Sequence, residues 1–193
     1  RFMVSFEAHG YLQRLPDGQY RVGPTLFRLG SIFDATQSAR ELIVRTLERL
    51  VAAGTESASF HVRDGRQRLC LYRIDSHHTT LDTVRAGGHL PLDRGAAGKI
   101  LLHWEGRRVD ELAQRPSSGI ALSRGERDPA CWALAAPVFG RGGVLLGAIS
   151  LSGPKERFTQ AAIARMTELL REASAECSAQ AVSLTDSQVR ART

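Results

Sequence analysis

The stretch ALAAPVFGRGGVLLGAISLS, residues 133–152, decides the fold of this chain. It contains two apolar runs, residues 133–139 and 144–152, which are separated by the sequence Gly-Arg-Gly-Gly. Apolar runs of this length that are bounded by glycine are typical of strands joined by a tight turn. The stretch therefore predicts a β-hairpin, from which the other elements can be worked out along the chain.

Strand and helix patterns alternate around this hairpin. A second hairpin is predicted at residues 57–63 and 68–74, because the turn between them has the sequence Asp-Gly-Arg. Further strands are predicted at residues 79–85 and 120–122, and helices at 38–53, from Gly95 onward, at 109–113 and from Thr159 onward. An antiparallel sheet covered by helices, an α+β fold, explains this order best.

The N-terminal segment follows a different pattern. Residues 1–10 have the spacing of the last turns of a helix, and two short strands, residues 11–15 and 19–22, flank a Pro-Asp-Gly turn. An apolar stripe then follows Pro24 and consists of Leu26, Phe27, Leu29 and Phe33. This stripe is too short to form a core alone, so we expect it to pack on a partner subunit or on the hairpin.

The composition indicates one medium-sized globular protein. Of the 193 residues, 42% are hydrophobic and 24% are charged, which suffices for a core without disulfide staples. No apolar run approaches the ~20 residues of a membrane span and no N-terminal signal is recognisable, so we expect no membrane association and a cytoplasmic protein. The net charge of +6 favours a polyanionic partner, although a codon bias toward arginine explains it equally well.

Two features predict a site for a small anion. Residues 95–99, with the sequence Gly-Ala-Ala-Gly-Lys, begin a helix, and small residues there expose N–H groups at the positive end of the helix dipole. Alternatively, they only allow close packing of the helix on the sheet. Ser150 and Ser152 point to one face of their strand and need hydrogen-bond partners, which a polar ligand or the backbone at the strand end would supply.

The cysteines and histidines give no comparable signal. Cys70, Cys131 and Cys177 form no CxxC pair, which argues against a disulfide framework or a zinc ribbon. We interpret them as buried inert thiols and the scattered histidines as surface or core residues, so we expect no metal, no cofactor and no catalytic group.

Several segments, in order, resemble the IclR-type transcriptional regulators. Residues 9–14 and 18–24 resemble the end of that family's winged helix-turn-helix. The later markers are residues 91–99, 125–126, 134–138 and 150–154, with the sequences PLDRGAAGK, GE, LAAPV and SLSGP. Each segment alone is a weak signal, whereas together, in this order, they are specific.

The resemblance implies a GAF-like effector domain, an antiparallel sheet flanked by helices, behind a partial winged helix. The boundaries would be residues 1–23 for the C-terminal part of the DNA-binding domain, 24–36 for a linker helix, 37–182 for the effector domain and 183–193 for a polar tail. Such a regulator would bind a duplex DNA operator as a homodimer or a dimer of dimers. The residues expected to contact DNA are Arg1, Arg14, Gln19 and Arg21.

The resemblance also implies where an effector would bind. The pocket positions of relatives that bind short oxo-acids correspond to Gly95, Ala96, Ser123, Ala133, Ser150 and Ser152, and we expect Leu90 and Leu92 to add an apolar wall. The family often has an acidic residue at the position of Ser123 and a cysteine or serine at that of Ala133. Their absence favours a larger or less polar organic acid, such as an aromatic acid, that is bound and released unchanged.

Two other functions are compatible with the sequence. A GAF-like fold can carry a thiol-dependent reductase, which would need a reactive pair such as Cys70 and Cys131. It can also serve for dimerisation alone. The hairpin in front of the domain favours the transcriptional regulator over both.

Overall fold

The computed structural model describes residues 2–26, 28–29, 40–79, 82–105 and 119–190, with side chains up to residue 182. The chain divides into two compact units, Arg1–Arg40 and Glu41–Thr193. The described strands form two sheets, one of two strands in the first unit and one of six in the second. Strand pairing is therefore internal to each unit.

The first unit contains a helix followed by a hairpin, which confirms the prediction. Helix α1, Phe2–Ala8, is followed by a turn in which Gly10 has a φ of 71°. Strands β1, Leu12–Arg14, and β2, Tyr20–Val22, pair in antiparallel. Asp17 shapes the turn between them, because its carboxylate accepts a hydrogen bond from the Gln19 amide (3.0 Å).

Gly10 and Gly23 close the base of this hairpin. A Cβ on Gly23 would lie 2.1 Å from the Gly10 carbonyl oxygen, so no larger residue fits there. The Gly23 amide donates to the Tyr11 carbonyl (2.8 Å) and the Thr25 amide donates to the Gly10 carbonyl (3.1 Å). Residues 24–26, 28 and 29 are helical. The rest of the predicted linker, including Phe27 and Phe33, lies outside the described residues.

The second unit is built around a six-stranded antiparallel sheet. Helix α2, Arg40–Ala52, precedes it. The elements that follow are β3, Ser57–Asp64; β4, Gln67–Ile74; β5, His89–Pro91; α3, Ala96–His103; β6, Ala121–Arg124; β7, Cys131–Phe139; β8, Leu145–Pro154; and α4, Gln160–Arg190. The strand order is β5-β4-β3-β8-β7-β6. Both predicted hairpins, β3–β4 and β7–β8, are confirmed.

Two predicted elements are wrong. The described residues of the segment 79–85 form no strand, because side-chain bonds of Asp82 to Arg73 (2.7 Å) and of Thr83 to Arg127 (3.2 Å) hold it as a loop. The edge strand is β5 instead. Helix α4 continues to Arg190, past residue 183 where we expected the polar tail to begin, since each added residue gains a hydrogen bond once a helix is formed. The predicted helix at 109–113 lies outside the described residues.

The two faces of the sheet differ in character, because side chains alternate along each strand. In β8, Ile149 points to one face and Ser150 to the other, and the pairs Phe60–Ile149 and Ser59–Ser150 extend this division into β3. Helix α4 contacts β7 and β8, and an ion pair between Arg49 and Glu176 (2.6 Å) connects α2 to it. One face therefore carries the large apolar core, whereas the other carries small and polar side chains.

Helix α3 covers part of the small, polar face. Its apolar residues, with Leu92 and Trp104 from the flanking segments, form a buried cluster with two alanines of β7 and β8; the cluster consists of Leu92, Ala96, Ala97, Ile100, Leu101, Trp104, Ala135 and Ala148. The alanines allow the helix to approach the sheet closely. Beyond this cluster, toward Ser150 and Ser152, the face is covered by loops.

Leu134→Ala is expected to destabilise the second unit by about 2–5 kcal/mol, because it removes a side chain that is 1% exposed on the apolar face. Urea unfolding followed by circular dichroism measures the change. Leu102→Ala is the matched control, because Leu102 on α3 is 43% exposed and its truncation should cost less than about 1 kcal/mol. Equal losses for both variants would contradict this account of the core.

Candidate functional site

A cavity of about 30 Å³ lies on the small, polar face of the sheet, beside the first turn of α3. Strands β3, β4, β6, β7 and β8 all contribute side chains to it. The lining residues are His61, Arg68, Asp82, Val84, Gly95, Ala96, Ala97, Ser123, Arg127, Asp128, Cys131, Ala133, Ser150 and Ser152. A space of this size holds about two water molecules.

Six of the eight residues predicted for effector binding line this cavity, namely Gly95, Ala96, Ser123, Ala133, Ser150 and Ser152. Leu90 and Leu92 do not. Leu92 is buried in the cluster beneath α3, where apolar contacts are available to it, and Leu90 lies half-buried on the edge strand β5. The apolar wall is thus replaced by polar and charged residues that sequence reasoning missed: His61, Arg68, Asp82, Arg127 and Asp128.

Arg68 is the most deeply buried cation of the cavity. It is 4% exposed; its Nη1 donates to the Arg94 carbonyl (2.9 Å), and its Nε has no hydrogen-bond partner. Within the described ranges, no carboxylate forms an ion pair with it. Burial, and secondly the charge of Arg127, lower the pKa of Arg68 to about 10, so the guanidinium remains protonated at neutral pH.

Two glycines at the start of α3 make room for this guanidinium. A Cβ on Gly95 would lie 3.1 Å from both Nη atoms of Arg68, and one on Gly98 would lie 3.2 Å from Nη1 and 2.2 Å from the Leu92 carbonyl oxygen. Gly95 also has a φ of 84°, which favours glycine. Gly95 and Gly98 therefore allow close packing, and the side chain that packs against them is that of Arg68.

The N-terminus of α3 already has a carboxylate. The Gly95 amide donates to Glu126 Oε2 (3.1 Å), and Lys99 forms an ion pair with the same carboxylate while donating to the Leu122 carbonyl (3.0 Å). The expectation that this helix end exposes its first N–H group to a ligand is thus corrected for Gly95. The loop between β6 and β7 supplies the anion instead.

His61 is a second polar group without a full set of partners. It is 3% exposed, and its Nδ1 has no hydrogen-bond partner. Burial is the main cause that lowers the pKa of His61 to about 3, and the charges of Arg68, Arg73 and Arg127 add to it. The imidazole is therefore neutral at physiological pH, and one of its nitrogens donates while the other accepts.

Two loops meet beside the cavity. Residues 82–84 are held by Asp82, whose buried carboxylate pairs with Arg73 (2.7 Å) and accepts from the Val84 amide (3.1 Å). From the loop between β6 and β7, Arg127 Nη1 donates to Thr83 Oγ1 (3.2 Å). This hydrogen bond joins the two loops.

The cysteines are not activated. Cys131 lines the cavity and lies 3.8 Å from Asp82 Oδ2, whereas Cys70 is not among the lining residues. Burial raises the pKa of both thiols to about 11, so thiolates are scarce at neutral pH. A thiol-dependent reductase would need a cysteine whose pKa is lowered, so that the thiolate is present at neutral pH. Within the described residues, no group of three or more His, Cys, Asp or Glu side chains is placed to hold a metal ion.

The predicted DNA contacts lie on the hairpin of the first unit. Arg14, Gln19 and Arg21 are exposed, and Arg1 lies outside the described residues. Arg14 is opposite Tyr20 in the register and Arg21 is opposite Gln13, so the two arginines point to opposite faces of the hairpin. Arg21 Nε also donates to Gln13 Oε1 (2.9 Å), which orients its guanidinium.

None of the described helices is long and apolar enough to cross a membrane.

Comparison with known proteins identifies the family. Residues 35–111 and 108–179 match the family described as bacterial transcriptional regulator IclR C-terminal. The HTH-type transcriptional regulator BhcR of Paracoccus denitrificans is 28% identical over 204 residues, which cover 92% of this chain and 73% of BhcR. The chain belongs to the IclR family of bacterial transcriptional regulators, as its sequence motifs predicted.

Solved structures share the fold. The IclR protein of Thermotoga maritima has a TM-score of 0.72 at 19% identity, over 93% of this chain and 83% of its own. An IclR homologue from Microbacterium hydrocarbonoxydans, solved in complex with 4-hydroxybenzoate, has a TM-score of 0.75 at 21% identity, over 92% of this chain and 82% of its own. The α+β architecture is therefore the one found in IclR regulators.

Glu126→Gln is expected to remove a pH-dependent contribution to stability. Burial tends to raise the pKa of the Glu126 carboxyl, but hydrogen bonds from Lys99 and Gly95 outweigh it and place the pKa below its ordinary value of 4.5. Because the folded state has the lower pKa, the stabilisation is present above pH 4.5 and is lost as the pH falls through the folded pKa. Urea unfolding should show a difference from the unmodified protein at pH 7 that shrinks below pH 4.5.

Glu48→Gln, which changes an exposed residue of α2, is the control and should alter stability little at either pH. A deficit of the Glu126 variant that is the same at neutral and acidic pH would show that its carboxylate is not the stabilising species.

Proposed function

We propose that this protein binds operator DNA through α1 and the β1–β2 hairpin and that a small organic acid in the cavity controls this binding. The observation that carries the proposal is the convergence of six predicted residues on one cavity, whose lining also includes His61 and Arg68, each with one buried polar atom, Nδ1 and Nε, that has no partner. A buried polar atom without a partner costs on the order of 1–3 kcal/mol, and a polar ligand would remove that cost. The Microbacterium homologue with bound 4-hydroxybenzoate supports an organic acid as the ligand class.

Ligand entry requires the loops beside the cavity to move. A volume of about 30 Å³ is too small for an aromatic acid, whereas sites for small organic molecules typically measure about 300–1,000 Å³. The contacts that hold the loops are the Arg127–Thr83 and Glu126–Gly95 hydrogen bonds. A ligand that binds the open arrangement more tightly would shift the population toward it, and that difference in affinity is the source of regulation.

The ligand is bound and released unchanged in this proposal. The thiol of Cys131 is protonated at neutral pH, and the neutral imidazole of His61 has a pKa of about 3, far from that of an efficient general base. The same two pKa shifts, of Cys131 and His61, also disfavour a thiol-dependent reductase. The charged cavity disfavours a module that only dimerises, since dimerisation needs no internal polar site.

The regulator would act as a homodimer or a dimer of dimers. Two hairpins and two α1 helices would then face DNA half-sites about one helical turn, or a multiple of it, apart. Arg1, Arg14, Gln19 and Arg21 would contact the duplex, and the exposed arginines of the hairpin would mainly neutralise phosphates.

A thermal-shift screen with glyoxylate, pyruvate and 4-hydroxybenzoate tests the ligand site. A ligand at about a hundred times its Kd adds roughly 2.7 kcal/mol, which raises the Tm of a chain of this size by about 5–10 °C. Ser152→Val should abolish the shift, because it removes a hydroxyl from the cavity wall. Thr167→Val, an equivalent change on α4, should retain it. A shift that survives Ser152→Val would place the ligand elsewhere.

A salt titration of DNA binding tests the hairpin. Arg14→Ala and Arg21→Ala should each weaken binding to all duplex sequences similarly and reduce the slope of log K against log salt by about 1, because a phosphate contact releases about one counterion. Arg66→Ala, an exposed arginine in the β3–β4 turn, is the control and should leave the slope unchanged. Loss of preference for one base with overall affinity kept would contradict the phosphate role.

A further inference from the structure

We infer that Arg68 holds the carboxylate of the ligand, with His61 as its neutral polar neighbour. This inference rests on the proposed function and specifies the chemistry of the same cavity. None of the predicted effector-binding residues is charged, so the residues that recognise the acid group must be sought among those that the structure added.

The first argument is the charge balance of the cavity wall. Of the four charged lining residues, Asp82 pairs with Arg73 (2.7 Å), which is not a lining residue and which also pairs with Asp75 (2.6 Å). Asp128 Oδ1 accepts a hydrogen bond from the Ala130 amide (2.9 Å) in its own loop. Among the described residues, neither Asp82 nor Asp128 forms an ion pair with Arg68, so the charge of this guanidinium is left for a ligand carboxylate to balance.

The second argument is the fixed position of Arg68. Its guanidinium lies against Gly95 and Gly98, and its Nη1 is used by the Arg94 carbonyl (2.9 Å). The Nε–H group is buried and donates to nothing in the described structure. Arginine presents a planar set of donors that suits a carboxylate, and an arginine that is already oriented loses little conformational entropy on binding one.

The third argument is that the Gly95 amide, just before α3, is already occupied. The Gly95 amide there is satisfied by Glu126 (3.1 Å), so a ligand carboxylate at that position would have to displace a side chain of the protein. The Arg68 Nε–H group has no acceptor to displace. The hydroxyls of Ser150 and Ser152 then face the cavity for the other polar atoms of the ligand, and His61 Nδ1 offers one more hydrogen bond.

The Nε–Hε resonance of Arg68 in a ¹H–¹⁵N spectrum tests the inference directly. Sodium formate is the first probe because it is a bare carboxylate small enough for the cavity, and 4-hydroxybenzoate is the second. Each should move the resonance in a saturable way, whereas sodium chloride at the same ionic strength should not. Arg68→Met assigns the signal by its disappearance. The neutral amide 4-hydroxybenzamide should bind at least about 10-fold more weakly than the acid.

Affinity measurements on variants provide the second readout. Arg68→Met should weaken 4-hydroxybenzoate binding by about 10- to 100-fold, the usual effect of losing a hydrogen bond to a charged group. Arg66→Met, an exposed arginine of the same β-hairpin, should bind like the unmodified protein. The spectral test uses the unmodified protein, so it decides the question even where Arg68→Met folds poorly.

Several results would overturn the inference: an Arg68 resonance that no carboxylate probe moves, full affinity in Arg68→Met, or equal affinity for the acid and the amide. These are distinct from failure of the proposed function. If 4-hydroxybenzoate releases the operator while the Arg68 signal stays unchanged, the proposed regulatory function is supported and the role of Arg68 in binding the carboxylate is refuted. If the Arg68 signal responds but operator binding does not, the role of Arg68 in binding the carboxylate is supported and the proposed control of DNA binding is refuted.

Discussion

The alternation of side chains along β3, β7 and β8 is the constraint on which the rest of this structure depends. On one face of these strands, Phe60, Leu134 and Ile149 are 0–2% exposed and form the main core. On the other, Ala133, Ser150 and Ser152 have side chains too small to fill the space above them. Because side chains alternate between the two faces at every second residue, the same strands produce a stable core on one side of the sheet and a cavity on the other.

The polar and charged groups of the cavity are costly to bury, and the apolar face offsets that cost. Arg68 and His61 are 4% and 3% exposed, and each has a polar atom without a partner. Cores of natural proteins rarely tolerate such groups without a functional reason, because an uncompensated buried charge destabilises the fold. The buried polar atoms of Arg68 and His61 that lack partners both belong to residues of the cavity wall. The neighbouring carboxylates, Asp82 and Glu126, form ion pairs with Arg73 and Lys99.

Local patterns in the sequence predicted the parts of the site that depend on local structure. Alternation in β8 placed Ser150 and Ser152 on one face, and the family motifs added Gly95, Ala96, Ser123 and Ala133. Arg68 could not be found in this way, because a bulge between Phe60 and His61 shifts the register of β4. Without it, Arg68 and Arg73 would point to opposite faces of their strand.

The bulge brings both arginines to the polar face, and no local signal announces a bulge in this hairpin. Arg127 and Glu126 were missed for a related reason: they reach the site from a loop through long-range contacts with Thr83 and Gly95, which hydrophobic periodicity does not encode. The expected leucine wall does not line the cavity: Leu92 packs in the buried cluster with α3, and Leu90 lies half-buried on the edge strand β5.

The position of the two loops in the sheet explains how the cavity could open without loss of the fold. Residues 82–84 lead toward β5, and the loop with Glu126 and Arg127 follows β6; β5 and β6 are the two edge strands. Each edge strand pairs with only one neighbour, so its displacement leaves the central ladder of β4, β3, β8 and β7 intact. Edge segments belong to the low-stability end of a structure and open at small free-energy cost. They also carry the unpaired backbone groups that can meet a second chain. A ligand that separates these loops would therefore act on the part of the sheet best placed to change how two subunits of the proposed dimer sit together.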